Sequence, residues 1–251
     1  MIRKILLFVF ALVFIFSTGM LLKEIMQIQK DKSEFEELRN QIDTESLGDL
    51  SKEQIEKEKL LAQFNQMYQM NNDYVGWIEI PNTIINYPVM QTSSDEEYYL
   101  HRNFKKEYSP SGTPFLSATS RLEDTNNQLV VYGHNMNSGL MFHDLMLYKD
   151  QSFWETSPTI LWRTKDALET YEIFSAFEIN VDMEKDHFAF YVQPTFHNNE
   201  EFNLFLEESK NASLYDTGIT PQYGETIMSL VTCDVGGDTH RMVLMAVKRN
   251  K

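Results

Sequence analysis

The pattern of apolar and polar positions changes twice along the chain. From Ile5 to Leu22 the sequence ILLFVFALVFIFSTGMLL is apolar, without a charge or a proline. At ~1.5 Å per residue, a helix over this run spans about 27 Å, close to the hydrocarbon thickness of a bilayer. From Lys23 to Met70 the chain turns to Glu, Lys, Gln and Leu, and Ile25, Ile28, Phe35, Leu38 and Ile42 recur at helical intervals. Ser51 and Gln54 make a capping box for a second helix carrying Ile55, Leu60, Leu61, Phe64, Met67 and Tyr68, divided from the first near Gly48. The first helical stretch reads as a stalk, the second as packed on the domain that follows.

From Val75 the period shortens. VGWIEI, TIINYPVM, QLVVYGH, TILWR, ETYEIFSAFEI, HFAFYVQ, ETIMSLVTC and HRMVLMAVK are short, rich in β-branched and aromatic residues, and separated by Pro, Gly, Asn or Asp. They predict about eight strands. Two inserts, Met141 to Lys149 and Asn199 to Lys210, read as helical, the second capped by Asn198 or Asn199. The expected fold is mostly β: a closed eight-stranded barrel with N-terminal helices and helical inserts, preceded by one transmembrane helix. The boundaries that follow are a cytoplasmic N-terminus 1–4, an anchor 5–22, a helical stalk 23–50 and an exterior domain 51–251.

Charge sets the orientation. Arg3 and Lys4 precede the apolar run and the region after it is acidic, so the positive-inside rule places the N-terminus in the cytoplasm and the β domain outside the cell membrane. A cleaved signal peptide is the competing reading, because Ser17, Thr18 and Gly19 are small, although no A-x-A pattern follows. The formal net charge of −15 excludes a general affinity for phosphate backbones, so no nucleic-acid partner is expected. The single cysteine cannot close an intramolecular disulfide or supply the thiolates of a usual structural zinc site. No metal or other cofactor is expected.

That cysteine is the candidate chemistry. Cys233 ends the run IMSLVTC and precedes the Gly-rich turn DVGG, a place where a backbone can approach a substrate. Burial statistics for an isolated Cys favour simple packing. A nucleophilic thiol needs a proton partner, and His134 ends a strand-like run behind Gly133 with the loop Asn135 to Gly139 after it. His101, His143, His187 and His197 lie in polar or helical contexts and read as surface or satisfied residues. Arg241 opens the strand across the turn from Cys233, within a hairpin's reach, and a guanidinium suits a developing oxyanion. His240 alternates with Arg241 and should face the other way.

These residues carry a resemblance. Tyr132-Gly133-His134-Asn135, then Ser229-Leu230-Val231-Thr232-Cys233, then Arg241 are similar to the His, Cys and Arg motifs of sortases, in that family's order. The helical insert after the His, the two helices before the barrel and the helix before the Cys-bearing strand resemble class B sortases. Ser229 stands where family members commonly carry Thr, which keeps a hydroxyl. The resemblance implies a membrane-anchored cysteine transpeptidase of Gram-positive bacteria. It would cut secreted proteins after the Thr of a C-terminal sorting motif and pass them to an amine of a peptidoglycan precursor. It assigns Cys233, His134 and Arg241 to catalysis, and Tyr132, Thr232 and Ser229 are candidates to shape the substrate site. An L,D-transpeptidase would be expected to carry Ser-x-Gly-Cys-x-Arg, which is absent. A non-catalytic surface adhesin or pilus-type module, with Cys233 buried and inert, is the remaining alternative.

Overall fold

A computed structural model describes residues 2–43, 52–123, 126–180, 188, 190, 195–233 and 240–249. Helix α1 (Ile2–Asp43) joins the apolar run and the polar segment after it without a break, and α2 (Lys52–Met70) follows. The strands are β1 (Tyr74–Glu79), β2 (Asn86–Met90), β3 (Phe115–Leu116), β4 (Gln128–Gly133), β5 (Thr159–Arg163), β6 (Leu168–Asn180), β7 (Ile227–Cys233) and β8 (His240–Arg249). Helix α3 (Gln151–Thr156) precedes β5, and α4 (Asn199–Ala212) lies between β6 and β7. The eight strands close into a barrel in the order β1-β2-β3-β4-β7-β8-β6-β5. Most neighbours are antiparallel, but β2–β3 and β4–β7 are parallel, so the barrel is mixed.

The middle strands are buried on both faces, which explains their near-continuous apolar runs. Leu129, Val131, Met228, Leu230, Met242 and Leu244 fill the main core, while their neighbours Val130, Ile227, Val231, Val243 and Met245 belong to a second cluster outside the barrel. Helix α4 covers that second face with Phe202 and Phe205. Its cap is the expected one: Asn198 Oδ1 accepts from the Glu201 N–H at 2.9 Å. Phe188 and Phe190 pack into the same cluster, while the rest of the predicted strand HFAFYVQ lies outside the described residues.

Three features differ from the sequence expectation. The strand β3 has only two residues, too few for any period to register. The insert expected from Met141 to Lys149 is a tighter 3₁₀ helix over His143–Lys149, followed by the unexpected α3. The polar half of α1 is seated on the barrel, with Phe35 and Leu38 buried and the Phe35 ring edge-on to Tyr87 at 5.1 Å. The capping residue Ser51 lies outside the described residues. The apolar half of α1 is exposed, and among the described residues α1 alone is long and apolar enough to cross a membrane.

Candidate active site

Two strand pairings bring the sequence candidates to one mouth of the barrel. In the parallel pair β4–β7, Gly133 lies across from Thr232, so His134, just past the end of β4, and Cys233, the last residue of β7, follow the same register pair. In the antiparallel pair β7–β8, Cys233 lies directly across from Arg241. The hairpin reach inferred from the sequence is therefore a register pair. The Cys233 side chain and residues 234–239, read from the sequence as a Gly-rich turn, lie outside the described residues. A cleft of about 450 Å³ opens here, and His134, Arg241, Thr232, Tyr132, Leu100 and Glu97 are among its lining residues. A larger cavity of about 540 Å³ lies at the other end, where β4 and β7 begin, and holds none of the candidate residues.

The imidazole of His134 is held from outside the barrel. Its Nε2 lies 2.8 Å from the carbonyl oxygen of Leu100, in the 3₁₀ turn Tyr98–His101. A carbonyl can only accept, so Nε2 carries the proton and the lone pair of the neutral ring falls on Nδ1. Burial of the ring holds its pKa below the ordinary histidine value. The Leu100 carbonyl opposes that shift and the neighbouring His101 adds to it. The backbone beyond is pinned as well: the Phe142 N–H donates to the His134 carbonyl at 2.8 Å. Gly133 makes room for this contact, because a Cβ there would stand 2.8 Å from the Phe142 ring.

The other candidates divide. Tyr132 lines the cleft with its ring 5.5 Å from that of Phe115, and Thr232 lines it while almost fully buried. The Arg241 guanidinium lines the cleft and donates from Nη1 to the His240 carbonyl at 2.9 Å. Ser229 stands apart. It is fully buried and its hydroxyl accepts from Gln128 Nε2 at 2.7 Å, tying β7 to β4 and not lining the cleft. His143 Nδ1 donates to Asn135 Oδ1 at 2.8 Å, bracing the loop after His134, and His187 lies outside the described residues. His101 is exposed, in keeping with the surface reading, and its ring in addition stacks on His134 at 5.5 Å.

The Sortase domain family matches residues 78–249, from β1 to the end of β8. The chain belongs to the sortase family. Its relatives include the sortase B of Listeria monocytogenes, 32% identical over 184 residues that cover 72% of each chain. Among solved structures, the Staphylococcus aureus sortase B–substrate complex superposes with a TM-score of 0.75 at 27% identity, covering 90% of this chain and 99% of that one. A sortase B complexed with triglycine superposes with a TM-score of 0.75 at 26% identity, covering 88% and 98%. Sortases are cysteine transpeptidases, so the inert adhesin alternative gives way to an enzyme.

Proposed function

We propose that this sortase is a membrane-anchored class B-type transpeptidase that cuts a C-terminal sorting motif after Thr and transfers the protein to a cell-wall amine. The observation that carries this reading is the register pair Cys233–Arg241 beside His134 at one barrel mouth. The Cys233 thiolate attacks the Thr carbonyl carbon, and the C=O pair moves onto oxygen. Arg241 and nearby backbone N–H groups stabilise that oxyanion. As it collapses, the C–N bond breaks and the leaving amine takes a proton from the His134 imidazolium. With Nε2 committed to Leu100, the transferred proton sits on Nδ1. A thioester remains on Cys233.

In the second half, an amine attacks the thioester and His134, now neutral, takes its proton at Nδ1. The new amide forms and the Cys233 thiolate leaves. The triglycine complex of the related sortase B supports a glycine-type amine as acceptor, as in a peptidoglycan precursor. Tyr132 and Thr232 contact the substrate within the cleft, and Ser229 shapes it indirectly through β4. Residues 5–22 anchor the enzyme with Arg3 and Lys4 inside, so that enzyme and membrane-arrested substrate meet at raised effective concentration.

The test is cleavage of Thr-containing sorting-motif peptides, drawn from the host's secreted proteins, by the full chain in detergent with triglycine as acceptor. Cys233→Ala should lose cleavage by at least ~10³-fold, and Arg241→Lys, which lacks the planar fork, by about 10²-fold. Undiminished cleavage by Cys233→Ala would end the proposal.

A further inference from the structure

His101 closes the 3₁₀ turn that presents the Leu100 carbonyl, and its imidazole lies against His134 with ring centroids 5.5 Å apart and planes inclined by 25°. One turn therefore delivers two contacts to His134, a backbone acceptor in the ring plane and a second imidazole over its face. The turn itself is fastened: the Ser109 N–H donates to the His101 carbonyl at 3.0 Å, and the Thr113 N–H to the Tyr99 carbonyl at 3.0 Å. The stacked geometry is thus built into the fold although His101 is exposed.

We propose that His101 is a positioning residue for His134: its ring sets the plane of the neighbouring imidazole, and its proton, when present, opposes a second proton on His134. The inference rests on the reading of His134 as the acid and base of transpeptidation. A positive charge on the His101 ring, 5.5 Å from that of His134, works against charging His134. Among the described residues, the other charged and titratable groups that line the cleft with His134 are Arg241 from β8, Tyr132 from β4, and Glu96 and Glu97 just before the turn that carries His101, while Cys233 ends β7 across from Arg241. Arg241 acts with the same sign as a protonated His101. The two carboxylates act against it, from exposed positions where water screens them. Burial and His101 both hold the His134 pKa down, the direction expected of a ready proton donor to the leaving amine.

The experiment is a ¹³C-histidine NMR titration of the full chain in detergent micelles, with the His134 signal assigned by its loss in His134→Asn. In His101→Gln the His134 midpoint should rise by about half a pH unit or more, the shift expected of two charges at this separation even in water. In His101→Lys, which keeps a cation, it should stay at or below the wild-type value. The high-pH limb of kcat/KM should move in the same directions. An unmoved midpoint in His101→Gln, or an equal rise in His101→Lys, overturns the proposal. The titration does not need turnover, so absence of cleavage in every variant would count against the transpeptidase reading alone.

Discussion

The Leu100 carbonyl accepts from His134 Nε2 at 2.8 Å, across 34 residues of sequence. The ring proposed above to exchange protons is thus oriented by a main-chain group on a separate turn, and whatever moves that turn moves the ring. Gly112 sits directly behind it with φ at +61°, a backbone state that favours glycine.

A Cβ at Gly112 would collide with the Leu100 carbonyl oxygen and stand 2.7 Å from that of Tyr99. Gly112→Ala should therefore cost about 1–3 kcal/mol of stability, from a strained φ and a displaced turn. It should also lower kcat by an order of magnitude or more, since small misplacements of a catalytic group are costly. Thermal unfolding and peptide-cleavage kinetics of the same preparation check this. A destabilised variant with normal kcat would show that the turn does not orient His134.

Burial of His134 has a signed consequence for stability. Its pKa is lower in the folded chain than the ordinary histidine value of 6.5, so between the folded value and 6.5 the unfolded chain binds more protons. Stability from this group is complete above about pH 6.5 and is lost as pH falls from there through the folded value. His134→Gln removes the titration. Urea unfolding from pH 7 to pH 5 should show the wild type losing stability relative to His134→Gln; parallel curves would contradict the assignment.

Strand positions were legible where burial is two-sided or alternating, and so was the meeting of Cys233, His134 and Arg241 at one end of the sheet, because each sits at or next to the end of a strand with a strong pattern. The two-residue β3 was not, since Phe115–Leu116 presents no period. The grip on His134 was not legible either. A backbone carbonyl has no residue signature, and the stacking of His101 depends on a tertiary approach between segments far apart in the chain. Ser229 shows the converse: the motif position suggested the substrate site, but four residues of strand at ~3.3 Å each set it about 13 Å back from Cys233, where its hydroxyl meets Gln128.

Gly133 and Phe142 form a tight complementary pair, with the ring occupying the space a Cβ would need. Gly133→Ala should destabilise by about 1–3 kcal/mol through overpacking and should shift the start of the His134 loop. Pairing it with Phe142→Leu relieves the clash, so the double variant should lose less than the sum of the two single variants. Additive losses in a double-mutant cycle would mean that the ring is not what excludes the side chain.

The last relationship reaches back to helix α1. The Ser109 hydroxyl donates to Asp31 Oδ2 at 2.5 Å, Asp31 and Ser109 are fully buried, and Ser109 also holds the His101 carbonyl through its N–H. Nearby on α1, Glu34 Oε2 accepts from Asn103 Nδ2 at 2.9 Å while Oε1 is buried without a partner. Removing Asp31 leaves the Ser109 hydroxyl without its acceptor, so Asp31→Ala should cost about 1–3 kcal/mol. It should also speed amide exchange across residues 99–113, where Asp31→Asn, which keeps an acceptor, should do so less. Glu34 adds a pH dependence of known sign. Its pKa is raised, chiefly by burial, so its contribution to docking is full below the unfolded value near 4.5 and is lost as pH rises through the folded value. Exchange protection of residues 30–40, corrected for the intrinsic pH dependence of exchange, should be greater at pH 4 than at pH 7, and Glu34→Gln should flatten that difference. Protection that increases with pH would place the docking energy elsewhere on α1.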